Sequence, residues 1–96
     1  MADADVIDEV FEVIEDRKET LPEQSYTASL FTHEKGENAV LEKLGEEMTE
    51  LLLAVKDDEH DEIAHEAADI VYHMLVLLSM KGMDIDDLRA ELEDRR

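Results

Sequence analysis

The chain has 96 residues, with 28 Asp and Glu against 9 Lys and Arg, so its formal net charge is −19. A chain of this length forms one domain at most, here residues 1–96. The acidity argues against nucleic-acid binding, because phosphate contacts require clustered Lys and Arg, and against attachment to an anionic membrane surface. With no cysteine, disulfides and thiolate metal sites are excluded, so stability must come from packing, bound metal or a partner chain.

Two features of the sequence bear on where the protein is found. The N-terminus reads Met-Ala-Asp-Ala-Asp, with acids where a secretory signal carries basic residues. The longest apolar stretch, residues 70–80, is interrupted by His73 and is shorter than the roughly 20 residues that span a bilayer. We therefore expect a soluble, cytoplasmic protein.

The first predicted helix covers about residues 5–20, where apolar residues recur every three or four positions, and Pro22 marks its end. The periodicity then vanishes over residues 21–38, which we interpret as a long loop. Loops of more than ~12–15 residues in compact domains are usually functional or disordered. The loop carries the apolar side chains Tyr26, Leu30 and Phe31, which indicates that it docks onto another surface.

The next two predicted helices form an antiparallel hairpin. Asn38 is a suitable N-cap for a helix that ends near residue 56 and carries a continuous apolar stripe. The polar run 57–61 then makes a turn, and a third helix follows over residues 62–80.

The chain ends in a short fourth helix. Gly82 is the expected left-handed residue after the third helix, and Asp84 can cap a helix over residues 85–93. No strand pattern competes with these assignments, so the predicted fold class is all-α.

Three carboxylates share one face of the second predicted helix. At about 100° per residue, Glu46, Glu47 and Glu50 lie within roughly 100° of one another. The same face holds Ala39, Leu53 and Ala54, so it is not the fully polar surface of a solvent-exposed side. We therefore expect other residues to cover it.

A second polar stripe runs along the third predicted helix, which is apolar nearly all round. Its members are Glu62, Glu66, Asp69 and His73. Burying an unpaired carboxylate costs several kcal/mol, so such a stripe requires protonation, cationic partners or metal. Few basic residues are available nearby, essentially Lys43 and Lys35, and metal is therefore the favoured interpretation.

Oxygen ligands without cysteine select hard divalent cations, Mg²⁺ or Mn²⁺, over zinc or copper. Such sites typically also hold substrate phosphates, which suggests phosphate chemistry with a metal-activated water. Interpretations without a metal also remain open. A run of charged residues is usually the solvent-exposed face of a helix, and His73 alone is more often a hydrogen-bonded core histidine than a ligand. Glu62 and His65 form one Glu-x-x-His pair, but di-iron bundles need two such pairs.

Three sequence blocks resemble the phosphoribosyl-ATP pyrophosphohydrolase family. They are Ser-Tyr-Thr-Ala-Ser-Leu at 25–30, Lys-Leu-Gly-Glu-Glu-Met-Thr-Glu at 43–50 and Glu-Ala-Ala-Asp-Ile-Val-Tyr-His-Met-Leu-Val-Leu-Leu at 66–78. The resemblance covers essentially the whole chain, and the three blocks occur in the right order and spacing. It implies a MazG-like all-α fold of four to five helices, completed as a homodimeric bundle. The implied reaction splits the α–β phosphoanhydride of phosphoribosyl-ATP into phosphoribosyl-AMP and pyrophosphate, the second step of histidine biosynthesis.

The resemblance also implies roles for individual residues. The Mg²⁺ ligands would be Glu46, Glu47, Glu50, Glu66 and Asp69, and the loop 21–38 would lie on the substrate side, with Ser25, Tyr26, Thr27 and Ser29 near the phosphoribosyl end. We add His73 and Lys43 as candidate substrate-binding residues. Lys43 lies one turn before Glu47 and either donates to a phosphate or relieves acid repulsion, while Tyr26 is either a substrate contact or an anchor for the loop. The general base is Glu47 or Glu50, and the sequence does not choose between them.

Size also predicts self-association. Four short helices cannot enclose the apolar residues 70–78 on every side, and small proteins without disulfides often complete their cores by association. We expect a homodimer whose interface uses the third predicted helix.

Two other functions remain open at this level. One is a general nucleoside-triphosphate pyrophosphohydrolase of the MazG-like group, and the other is a non-catalytic acidic helical module that occupies basic surfaces of a partner. The five expected ligands also leave most of the acidity unexplained, and we interpret the remainder as an adaptation to high salt, typical of a halophile.

Overall fold

The computed structural model describes residues 5–96, which form five helices and no strand. Residues 1–4, which contributed to the expectation of no secretory signal, lie outside the described part. The helices are α1 (Val6–Thr20), α2 (Tyr26–Phe31), α3 (Glu37–Lys56), α4 (His60–Met80) and α5 (Ile85–Glu93). The all-α prediction is confirmed.

Two predicted helix ends are confirmed by their hydrogen bonds. Gly82 has a φ of +70°, and the bonds that follow α4 join Gly82 N to Ser79 O at 3.0 Å and Met83 N to Leu78 O at 2.9 Å, the Schellman pattern. At the start of α5, the side chains of Asp84 and Asp87 form a reciprocal capping box.

The interval 21–38 differs from the prediction, because it contains the short helix α2. The hydroxyl of Ser25 caps this helix by accepting a hydrogen bond from the backbone N–H of Ala28 at 3.1 Å. A helix of six residues is not stable by itself, and α2 persists because Ala28 and Leu30 are buried where it packs on α1 and α3.

Two further helix starts were predicted too late. Helix α3 begins at Glu37 with Gly36 as its N-cap, so Asn38 lies inside the helix and the expectation that it caps the helix is wrong. Helix α4 begins at His60, two residues before the expected start, because Asp58 turns the chain within the short connection at a φ of +57°.

Helices α3 and α4 pack along each other as the predicted antiparallel hairpin. Helix α4 also contacts α1, and α2 covers one end of the layer against α1 and α3. The buried core lies between these helices and consists of Phe11, Ile14, Leu30, Val40, Leu75 and Val76.

The molecule is flat, with principal extents of 40 × 38 × 21 Å, so its shortest dimension is about two helix diameters. Helix α4 is long and apolar enough to cross a membrane by length and composition alone. Six of its side chains are buried, however, and the core helix of a soluble protein passes the same test.

The apolar side of α3 remains uncovered. Its large exposed side chains include Leu41, Met48, Leu52 and Val55, which lie within about 60° of one another around the helix. In α4, by contrast, Met74 is the only exposed large apolar side chain of the segment 70–78.

Candidate active site

The carboxylates of α3 meet very different surroundings. Glu47 points into the hairpin and is only 5% exposed, whereas Glu46 and Glu50 are exposed. Among the three carboxylates, the expectation that the face is covered is therefore correct for Glu47 alone. On α4, Glu66 and His73 are buried, Asp69 is half-buried and Glu62 is exposed.

Glu47 is the first member of a hydrogen-bonded chain that crosses three helices. Its Oε1 lies 2.8 Å from Nδ1 of His73, and Nε2 of His73 lies 2.9 Å from the hydroxyl of Tyr26 on α2. The same Nδ1 lies 3.0 Å from the carbonyl oxygen of Asp69. A carboxylate and a carbonyl can only accept, so Nδ1 carries the proton and, in the neutral ring, Nε2 accepts from Tyr26.

The hydroxyl of Tyr26 is the end of this chain that is nearest to solvent. Burial raises the pKa of Tyr26, with the nearby Lys43 ammonium acting in the opposite direction. The hydroxyl therefore keeps its proton at neutral pH and can donate it to His73. The ring of Tyr26 also lies against Tyr72, with 6.4 Å between the ring centroids.

Glu66 carries an oxygen without a partner. Its side chain is 7% exposed, and its Oε1 has no hydrogen-bond partner among residues 5–96. Burial raises the pKa of Glu66, and the neighbouring carboxyl of Glu50 raises it further by hydrogen bonding and by its negative charge. An orphaned carboxylate oxygen beside another carboxylate is the arrangement that a bound cation would relieve.

The donor atoms around Glu66 are suited to a metal ion. Oxygen or nitrogen atoms of His65, Glu66 and Asp69 lie within 4.8 Å of one another. Glu50 lies beside Glu66, while Glu46 and Glu47 are not members of this cluster. A mainly carboxylate donor set fits a hard divalent cation.

A pocket of about 330 Å³ opens between α2, the loop after it and the first half of α3. Tyr26 lines this pocket and also belongs to the Glu47–His73 chain, so the pocket and the carboxylate site share a wall. The polar lining residues are Tyr26, Ser29, His33, Lys35, Glu42, Lys43 and Glu46.

The predicted substrate-binding residues fall into two groups. Tyr26, Ser29 and Lys43 line the pocket. Ser25 instead caps α2, and the other two side chains are buried: Thr27 is hydrogen-bonded to the hydroxyl of Tyr72, and His73 uses both ring nitrogens inside the protein. His73 therefore acts on a ligand only through Glu47 and Tyr26.

Several residues of the site were not singled out from the sequence. Tyr72 was counted as part of an apolar helix, although its hydroxyl holds Thr27. Nothing in the sequence indicated that His33 or Glu42 lines a substrate pocket. Lys35 was considered only as a possible cationic partner of the buried carboxylates. The Ser25 cap and the apolar pair Ala28 and Leu30 were the signals from which α2 could have been predicted. With α2 in place, these residues would have been expected near one pocket.

Comparison with known proteins assigns the chain to a family. Residues 7–96 match the family model described as phosphoribosyl-ATP pyrophosphohydrolase. A protein of Haloarcula marismortui named phosphoribosyl-ATP pyrophosphatase is 82% identical over 92 residues, which cover 96% of this chain and 94% of the relative.

Two other relatives carry the same name. The protein of Natronomonas pharaonis is 78% identical over 92 residues, which cover 96% of this chain and 91% of the relative. The protein of Methanococcoides burtonii is 47% identical over 95 residues, which cover 99% of this chain and 96% of the relative. Similarity to haloarchaeal proteins supports the halophilic origin inferred from the charge.

Proposed function

The chain belongs to the phosphoribosyl-ATP pyrophosphohydrolase family, and we propose that it hydrolyses phosphoribosyl-ATP with the help of a divalent cation. Water is added across the α–β phosphoanhydride, and the products are phosphoribosyl-AMP and pyrophosphate. The reaction is the second step of histidine biosynthesis, and we place it in the cytoplasm.

The observation that carries the metal-dependent part of this proposal is the unpartnered Oε1 of Glu66. Glu66 lies in a group with Asp69 and next to Glu50. Glu50, Glu66 and Asp69 are three of the five ligands expected from the sequence. A substrate with several phosphates would be repelled by these acids, and a bridging cation would reverse the local field.

Glu50, Glu66 and Asp69 would hold the cation, with Glu46 and Glu47 as further candidate ligands, and Mg²⁺ or Mn²⁺ suits their oxygen atoms. When bound, such a cation neutralises phosphate charge, orients the substrate and makes a nearby water more acidic.

Glu47 is our choice for the general base. His73 donates to Oε1 of Glu47 at 2.8 Å, which fixes the orientation of the carboxylate and leaves its second oxygen to take a proton from water. Glu50 is less suited to this role, because it shares the environment of Glu66 and would be engaged with the cation. Lys43 lies on the pocket wall and would donate to a substrate phosphate.

We also propose a homodimer. The exposed stripe Leu41, Met48, Leu52 and Val55 on α3 is the kind of surface that a second copy covers, since the flat monomer cannot bury it. The proposed contact therefore uses α3 rather than α4, where Met74 is the only exposed large apolar side chain of residues 70–78. On α3 the stripe lies away from Glu50, which is about 200° around the helix from Met48.

The direct test is incubation with phosphoribosyl-ATP and Mg²⁺, following pyrophosphate release with and without an excess of dNTPs. Release from phosphoribosyl-ATP that dNTPs hardly inhibit supports the proposal. Preferred release from dNTPs would favour the general pyrophosphohydrolase, and no release from any of these compounds would favour the acidic interaction module.

A further inference from the structure

We propose that the pocket of about 330 Å³ binds a phosphomonoester through Lys35, Lys43 and His33. We assign this phosphomonoester to the phosphoribosyl group of phosphoribosyl-ATP, not to the ribose that carries the triphosphate. The inference rests on the proposed function, because it assigns one end of that substrate to the pocket. It identifies the residues that distinguish phosphoribosyl-ATP from ATP, which lacks the additional phosphoribosyl group and its phosphomonoester.

The first support is the distribution of positive charge. The chain has 9 Lys and Arg against 28 acids, yet two of its lysines line this single pocket. Lys43 is half-buried and forms no ion pair within residues 5–96. A partly desolvated ammonium that forms no ion pair, in a chain so rich in acids, is available for an anionic ligand.

His33 supplies a third donor whose proton can be located. The backbone N–H of Lys35 donates to Nδ1 of His33 at 3.0 Å. Nδ1 must therefore be unprotonated, which leaves the ring proton on Nε2. His33 also lines the pocket, so its Nε2–H is a donor suited to a phosphate oxygen.

Lys35 is held at the pocket by a contact that is easily exchanged. Its Nζ lies 3.1 Å from Oε1 and 3.2 Å from Oε2 of Glu42, and both side chains are exposed. Exposed ion pairs of this kind contribute little free energy, so a phosphate dianion can replace Glu42 as the partner of Lys35. Glu42 thereby competes with the ligand, because its carboxylate also lines the pocket.

The size and position of the pocket agree with this assignment. Its volume of 330 Å³ is at the lower end of the range of about 300–1,000 Å³ for small-molecule pockets, which is enough for a phosphorylated sugar. Tyr26 forms the boundary toward the carboxylate site, because its hydroxyl bonds to His73. A substrate with the phosphate of its phosphoribosyl group here would extend its triphosphate past Tyr26 toward Glu50 and Glu66.

The test is a titration of the full-length, metal-free chain with ribose 5-phosphate, followed by ³¹P NMR at one fixed KCl concentration. We expect saturable binding to the wild type and weakening of about ten- to a hundredfold in K35Q and in K43Q, since each removes one charge-assisted hydrogen bond.

The matched control is K81Q. Lys81 makes an exposed ion pair with Glu37 at 3.1 Å, the same length as the shorter Lys35–Glu42 contact, but does not line the pocket. Its loss changes the net charge equally and should leave binding unchanged. Absence of binding to the wild type, or equal weakening in K35Q, K43Q and K81Q, would overturn the proposal.

Glu42 provides a test of opposite sign. E42Q removes the competing carboxylate and should tighten ribose 5-phosphate binding several-fold, whereas a merely structural ion pair predicts no gain. Unchanged or weaker binding in E42Q would contradict the exchange of partners at Lys35.

Hydrolysis measurements separate this inference from the proposed function. If the wild type releases pyrophosphate from phosphoribosyl-ATP and K35Q and K43Q match K81Q in kcat/KM, the activity stands and the subsite is wrong. If the wild type releases none, the proposed function fails, and the titration with ribose 5-phosphate still decides whether the pocket binds a phosphomonoester.

Discussion

Glu47 of α3 and His73 of α4 share a buried hydrogen bond of 2.8 Å across the helical hairpin. The imidazole also holds the hydroxyl of Tyr26, so one side chain connects the inner carboxylate to the wall of the pocket. Because Glu47 is buried, removing the imidazole would leave its Oε1 without the donor that it has in the wild type.

Replacing His73 should therefore reduce turnover. We expect His73→Leu to lower kcat by about a hundredfold, in the range found for residues that orient functional groups. His73→Asn keeps a donor near the position of Nδ1 and should restore about tenfold of the loss. Steady-state pyrophosphate release measures both, with the exposed His60→Asn as the control. Wild-type kcat in His73→Leu would show that the contact has no role in turnover.

Removing one carboxylate at a time should separate chemistry from folding. Glu47→Gln keeps an oxygen that can accept from His73 but is no longer a base, and Asp69→Asn loses a charged candidate ligand. Both should abolish turnover while the far-ultraviolet circular dichroism stays helical. Glu62→Gln, on the exposed part of α4, should remain active. Full activity in either site variant would refute the assignment of that residue.

Glu66 should make the metal-free chain more stable in acid. Burial raises its pKa above the ordinary value of 4.5, so the stability contributed by its neutral form is complete below that value. This contribution is lost as the pH rises through the raised pKa. In EDTA, Glu66→Gln should match the wild-type Tm in acid and exceed it increasingly toward neutral pH. Thermal melts across this range measure the difference, and Glu62→Gln is the control.

Cation binding should reverse that order at neutral pH. Mg²⁺ or Mn²⁺ should raise the Tm of the wild type, because a ligand that binds only the folded chain stabilises it, and should raise that of Glu66→Gln much less. An equal rise in both proteins would argue against Glu66 as a ligand.

The exposed stripe of α3 predicts the effect of a single charge on assembly. Leu52 and Leu53 are both 60% exposed and adjacent, but they lie about 100° apart around the helix, and only Leu52 belongs to the stripe. Leu52→Glu should give the mass of one chain in light scattering at micromolar concentration, while Leu53→Glu should retain the mass of two. A wild type with the mass of one chain would refute the homodimer.

The excess acidity should make the protein more stable in salt. Repulsion among the exposed carboxylates is screened as ionic strength rises, so the Tm should increase from low to molar KCl. A Tm that falls or stays flat over this range would contradict the interpretation as salt adaptation.

The helical architecture could be read from the sequence because its signals are local. The apolar periodicity of α1, α3 and α4, the left-handed Gly82 and the capping Asp84 each depend on residues within one or two turns. The polar stripe on an apolar helix likewise indicated that Glu66 and His73 are buried, and both are.

The partners of these residues depend on tertiary structure. Helix α2 is too short to show a periodic pattern and forms by packing, and it is α2 that brings Tyr26 to His73 and Ser29 to Lys43. Glu46, Glu47 and Glu50 share a helix face in sequence, and both Glu47 and Glu50 meet side chains of α4, yet only Glu47 is buried. Periodicity thus determined which side chains share a face, while the packing of one helix against another decided which of them lost water and gained a hydrogen-bond partner.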